Sequence, residues 1–146
     1  MGFGVSGSTA IIFLGVLVAT GTLYTATSNA TENVLEARDA SAEQALERTN
    51  TAIDVTNATH YGGNDTLVVT ATNTGSETLS VGETTLLVDN VYTSPNDTSV
   101  DGNAVTDLWY AGENLTMTIG MTDPPNRVKL VTATGVAATN TTKVVT

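Results

Sequence analysis

The sequence predicts an N-terminal transmembrane and stalk α-helix followed by an all-β antiparallel sandwich of immunoglobulin-like type. Three observations predict it. Residues 2–31 carry no charged side chain, and residues 31–51 contain neither Gly nor Pro. From Ile53 the hydrophobic period changes from that of a helix to that of strands, with turn residues arriving about every 8 to 12 positions. The expected division is therefore an anchor and stalk over residues 1–52 and an extracytoplasmic sandwich domain over residues 53–146.

The apolar run opens with Ala10, Ile11, Ile12, Phe13 and Leu14, passes through Val16, Leu17 and Val18, and extends to Leu23. A helix of roughly 20 such residues spans a hydrocarbon core of roughly 30 Å, so these side chains are the expected membrane anchor, with room for one crossing. A cleaved secretory signal starts with positive charge, whereas no Lys or Arg precedes this run. The expectation is a retained single-pass anchor with the C-terminal domain outside the membrane. Charge beyond the anchor, at Arg38 and Arg48, opposes that orientation only weakly, because Glu32, Glu36 and Asp39 surround Arg38.

Helix formers fill the next segment, among them Glu32, Leu35, Glu36, Ala37, Ala42, Glu43 and Leu46. Asn29 or Thr31 suits an N-cap, yet nothing between Ala26 and Glu32 forces a break, so one continuous helix and two separate helices both remain open. Leu35, Ala42 and Leu46 fall along one side. This stripe is too thin to hold an isolated helix; it fits either packing on the chain's own domain or a seam with a second anchored helix, in a homo- or hetero-oligomer.

Candidate strands cover residues 53–60, 66–73, 78–81, 84–92, 105–110, 114–121, 127–134 and, weakly, 136–145. Gly62-Gly63-Asn64-Asp65, Asn73-Thr74-Gly75, Ser94-Pro95-Asn96-Asp97 and Asp123-Pro124-Pro125-Asn126 separate them as turns, since Gly and Asn accept positive φ and Pro presets its own φ. Leu67, Val69 and Ala71 should face inward while Val68, Thr70 and Thr72 face outward, and Leu115, Met117, Ile119 and Met121 repeat the pattern. Trp109 and Tyr110 are expected in the core and at its edge. Short strands without intervening helices indicate a sandwich.

All 15 acidic and all 5 basic residues follow the anchor, for a net charge of −10. Such a surface repels nucleic acid. The balance, with abundant Thr and few Lys, suits a protein kept soluble in concentrated salt. There is no cysteine, hence no disulfide or thiolate chemistry. His60 is expected as a solvated residue at a strand end, and neither a serine-histidine-aspartate set nor a nucleotide-binding fingerprint is present. Asp97, Asp101, Asn103 and Asp107 form an acidic loop whose spacing fits no defined calcium loop. No enzyme activity, cofactor or metal is expected.

Asn-x-Ser/Thr sequons occur at Asn29, Asn57, Asn64, Asn96, Asn114 and Asn140, six of the twelve asparagines. They suit an extracytoplasmic domain that carries glycans.

The opening Met1-Gly2-Phe3-Gly4-Val5-Ser6-Gly7-Ser8-Thr9-Ala10-Ile11-Ile12-Phe13, with Leu23-Tyr24-Thr25-Ala26-Thr27-Ser28-Asn29, resembles the archaeal flagellum (archaellum) accessory family FlaF, also called ArlF, in its halophilic version. The likeness extends in layout to the whole chain and is specific in residues over the first thirty. It implies a motor component whose sandwich binds the surface-layer protein and, with a FlaG-like partner, forms a stator for the filament. A pilin- or archaellin-like filament subunit, with its N-terminal helix in the filament core, is the alternative. Such subunits carry a basic residue and Gly before the apolar segment for peptidase cleavage, and no Lys or Arg stands there here.

Overall fold

The computed structural model describes residues 3–146, so Met1 and Gly2 of the N-terminal motif lie outside the described residues. Two compact units are present, one ending at Glu43 and the other spanning Gln44–Thr146. A single helix, α1, runs Phe3–Asn50. It stays unbroken around Asn29: Thr31, rather than capping a new helix, returns its hydroxyl to the carbonyl of Thr27 at 2.9 Å, and Thr27 does the same to Leu23 at 2.8 Å. Thr20 and Thr25 do the same to Val16 and Gly21 at 2.7 and 3.2 Å. These hydroxyls are thereby satisfied without water, as a hydrocarbon phase requires. Ile11, Phe13 and Leu17 remain 72%, 71% and 65% exposed, and the helix is long and apolar enough to cross a membrane.

The second unit is an immunoglobulin-like sandwich. Its strands are β1 (Ile53–Tyr61), β2 (Thr66–Asn73), β3 (Leu79–Ser80), β4 (Thr85–Val88), β5 (Val91–Tyr92), β6 (Asp97–Val100), β7 (Leu108–Trp109), β8 (Asn114–Gly120), β9 (Arg127–Val131), β10 (Ala137–Thr141) and β11 (Lys143–Val145). One sheet has the order β11-β1-β2-β8-β6, the facing one β10-β9-β4-β5, and β3 pairs with β7. Among the described residues the strands pair antiparallel except β1 with β11. The alternation in β2 and β8 is as the pattern demands: Leu67, Val69, Ala71, Leu115, Met117 and Ile119 are buried against Leu86, Val88, Val128 and Leu130 of the other sheet.

Four expectations need correction. The segment 84–92 is not one strand: Asp89 and Asn90 take φ of 47° and 70°, which turns the chain in two residues so that Val88 pairs with Val91. The turn residues Asn96-Asp97 and the start of the acidic loop contain an unforeseen strand, β6, whose polar Asp97, Thr98 and Ser99 suit a sheet edge and whose only buried side chain is Val100. Segment 136–145 divides between the two sheets, as β10 and β11. His60 is 1% exposed rather than solvated, because β1 continues to Tyr61 and β11 pairs beside it; its Nε2 lies 2.7 Å from the Met121 carbonyl. With Nε2 carrying the proton, Nδ1 is left buried without a partner among the described residues.

The end of α1 is fastened to the sandwich by backbone. The Asn50 carbonyl accepts the N–H groups of Ser76 and Glu77 at 2.9 and 3.3 Å, and the Ala52 carbonyl accepts those of Thr74 and Gly75, both at 2.9 Å. The first pair satisfies a carbonyl that the helix end leaves open, and the second holds the two-residue link to β1. Fully buried Asn73 secures the loop, donating from Nδ2 to the carbonyls of Glu77 and Trp109 at 2.8 and 3.1 Å and accepting the Gly75 N–H at Oδ1.

Candidate functional site

The strand directions give the sandwich two unlike ends. At the proximal end α1 enters and the loop at Gly75 receives it. From there β1 runs nine residues, about 30 Å at about 3.3 Å per residue. The distal end gathers the turn after Tyr61, the β4–β5 hairpin, the start of β6 and the segment from Met121 to Asn126. Hydrogen bonds tie these pieces together: Met121 N–H to the Asp65 carbonyl at 2.8 Å, Gly120 N–H to Asn96 Oδ1 at 2.7 Å, and the N–H groups of Asn126 and Arg127 to the Asp89 carboxylate at 3.1 and 3.0 Å. Asp89 is thus used to hold the hairpin down.

Val91 and Tyr92 on that hairpin are each 67% exposed. One groove of about 470 Å³ runs beside Val91 towards Met121 and Pro124, and another of about 350 Å³ runs from Tyr92 and Pro95 along the side of the sandwich to Val105 and the turn where Asp107 meets Gly82. Val105 is 95% exposed. Strand β5 is the outermost of its sheet and β6 the outermost of the other, so apolar side chains and unpaired strand edges coincide here. Such a surface suits adhesion to another macromolecule; the hydrogen-bonding groups of an edge strand supply affinity and flanking side chains supply selectivity.

The acidic residues singled out from the sequence do not converge. Asp101 accepts from the backbone and side chain of Asn114, Asn103 accepts the Val105 N–H at 3.0 Å, and Asp97 lies on β6. Asp107 binds a separate turn: the Gly82 N–H at 2.7 Å, aided by the Ser80 hydroxyl at 2.8 Å, holds its carboxyl below the ordinary carboxylate range. A carboxyl that ionises more readily folded than unfolded contributes stability above its unfolded value and loses it as pH falls through its folded value. Asp107→Ala should therefore lower the urea midpoint near neutral pH and match the parent in strong acid. A pH-independent gap would show that the ionised carboxylate is not the stabilising form.

Along α1, Leu35, Ala42 and Leu46 are exposed. The sequons differ in their surroundings. Asn29 is exposed on α1, while Asn64 and Asn96 are exposed at the distal end. Asn114 is exposed at the start of β8 with both ends of its amide bonded, and Asn57 and Asn140 are half-buried within strands. The distal hairpin went unrecognised because 84–92 reads as one apolar segment; the dipeptide Asp89-Asn90, tolerant of positive φ, was the available signal.

No family model matches the chain, and no curated protein sequence matches it. Among solved structures, the archaellum periplasmic stator protein FlaG from Sulfolobus acidocaldarius is similar at 15% identity and a TM-score of 0.44, over 62% of this chain and 97% of that one. The stator complex of FlaF and FlaG from the same organism gives 16% identity and a TM-score of 0.42, over 60% and 85% of the two chains. The ligand-binding region of serine-glutamate repeat protein A of Enterococcus faecium gives 14% and 0.36, over 66% and 98%.

Proposed function

We propose that the chain is a membrane-anchored, stator-like accessory protein of the archaellum whose sandwich binds the surface layer. The observation that carries this reading is the pairing of two features: a helix whose apolar side chains, among them Ile11, Phe13 and Leu17, are exposed among the described residues, and a sandwich that exposes Val91 and Tyr92 beside two grooves at the end opposite its Gly75 loop. The resemblance of the first thirty residues to the FlaF family supplies the motor context. A stator needs an anchor, a firm joint and an adhesive end, and the Asn50–Ser76–Glu77 hydrogen bonds are suited to such a joint. Leu35, Ala42 and Leu46 serve as the seam for a FlaG-like partner or a second copy.

Deletion of the chain should leave filament subunits expressed while rotation or assembly fails. The detergent-solubilised protein should bind isolated surface-layer protein, and Val91→Asp with Tyr92→Ser should abolish that binding by placing charge and polarity where apolar contact is needed. Leu35→Asp with Leu46→Asp should weaken partner pairing and leave surface-layer binding intact. Normal swimming after clean deletion would remove the motor role, and purified filaments built of this chain would install the filament-subunit reading instead.

Anchoring has its own test. Leu17→Arg should cost about 2.5 to 3.5 kcal/mol on membrane-insertion scales and move protein from the membrane to the soluble or degraded fraction. Release of the unmutated protein by alkaline carbonate would contradict a spanning helix.

A further inference from the structure

We propose that Asn64 and Asn96 are N-glycosylation sites, that both sugars stand at the distal end of the sandwich, and that Asn57, Asn114 and Asn140 remain bare. The inference rests on the extracytoplasmic placement proposed above. All five are sequons, so the tripeptide alone does not separate them; the hydrogen bonds of each side-chain amide do. Asn64 lies exposed in the turn after β1, and among the described residues its side-chain amide has no hydrogen-bond partner. Asn96 is exposed just before β6, and only its Oδ1 is engaged, by the Gly120 N–H. A sugar on Nδ2 leaves that acceptor untouched. Both sequons read Asn-Asp-Thr, and both threonines are partly open to solvent.

The other three amides are committed to the fold. Asn140 is half-buried and donates from Nδ2 to the Val55 carbonyl at 2.6 Å, so a sugar there would be directed into the protein. The Asn57 side chain receives the Thr59 hydroxyl at 2.9 Å, and Thr59 is only 7% exposed, which hides the hydroxyl that sequon recognition needs. Asn114 is held at both ends, Oδ1 by the Thr72 hydroxyl at 2.7 Å and Nδ2 against Asp101 Oδ1 at 3.3 Å. The donor class required is a lipid-phosphate-linked oligosaccharide outside the membrane. The Asn Nδ2–C1 bond forms, the C1–O bond to phosphate breaks, the lipid phosphate leaves with the electron pair, and one Nδ2 proton passes to a base of the transferase.

Peptide mass mapping of the full chain purified from its native membranes tests this, with protease accessibility on intact cells as a parallel measurement. The expected result is a sugar on the Asn64 and Asn96 peptides, unmodified peptides for Asn57, Asn114 and Asn140, and loss of one sugar mass each in Thr66→Val and Thr98→Val, which leave the asparagines in place. A bare Asn64 or Asn96, or a sugar on Asn57, Asn114 or Asn140, in a sandwich that proteases reach from outside overturns the assignment alone. A sandwich shielded inside the cell overturns it together with the extracytoplasmic placement.

Discussion

Gly75→Ala should destabilise the Gln44–Thr146 unit by at least about 3 kcal/mol, at the upper end of what overpacking costs. A methyl group built on Gly75 would meet the carbonyl oxygen of Asn50 and lie 2.5 Å from the Ala52 nitrogen. Both are backbone atoms. No side-chain rotation relieves the clash, so the loop would have to withdraw from the end of α1 and surrender the bonds that Thr74, Gly75, Ser76 and Glu77 donate there. Gly63→Ala is the control, since a Cβ at Gly63 meets nothing within 4 Å, and its effect should stay within about 0.5 kcal/mol. Chemical denaturation of the two variants separates the outcomes: similar midpoints would mean that the joint yields at little cost. For a stator-like role the joint matters beyond stability, because these bonds brace the backbone where it passes from Asn50 into β1.

Part of this architecture was legible in the sequence and part was not, for physical reasons. The helix could be read because residues 2–31 carry no charged side chain and residues 31–51 hold neither Gly nor Pro, with its continuity past Asn29 left open, and β2 and β8 because strict alternation over a half-covered sheet leaves a period of two. His60 was misread because burial of a polar residue at a strand end depends on β11, which arrives from the far end of the chain. Strand β6 was missed since an edge strand needs little apolar content once β8 supplies its ladder. The same reasoning applies to the candidate site. Val91 and Tyr92 are apolar residues in a strand-like run, and only the tight turn at Asp89-Asn90 puts them at an exposed edge instead of the core. Likewise, six identical sequon signals become distinct only when partners such as Val55 and Asp101, distant in sequence, are brought against the amides.

Trp109→Ala should cost about 3 to 5 kcal/mol, the range for removing a large buried aromatic side chain. Trp109 is completely buried in β7, and its Nε1–H donates to the Glu113 carbonyl at 2.8 Å. That carbonyl also accepts the Asn73 N–H, while the Trp109 carbonyl accepts from Asn73 Nδ2, so the indole braces the same loop that receives the end of α1. Trp109→Phe separates the two contributions. It retains most of the apolar contact and leaves the Glu113 carbonyl with the Asn73 N–H, so it should cost much less than the alanine variant, with about 1 kcal/mol for the lost hydrogen bond. Because this is the sole tryptophan, parent fluorescence reports on this site alone, and the variants must be followed by circular dichroism. The apolar part of α1 lies in the other unit and does not depend on the indole, so Trp109→Ala protein should still fractionate with membranes while losing surface-layer binding. An alanine variant that unfolds at the parent's midpoint would detach Trp109 from the joint. One that unfolds early yet still binds surface-layer protein would move the adhesive contact off the folded sandwich.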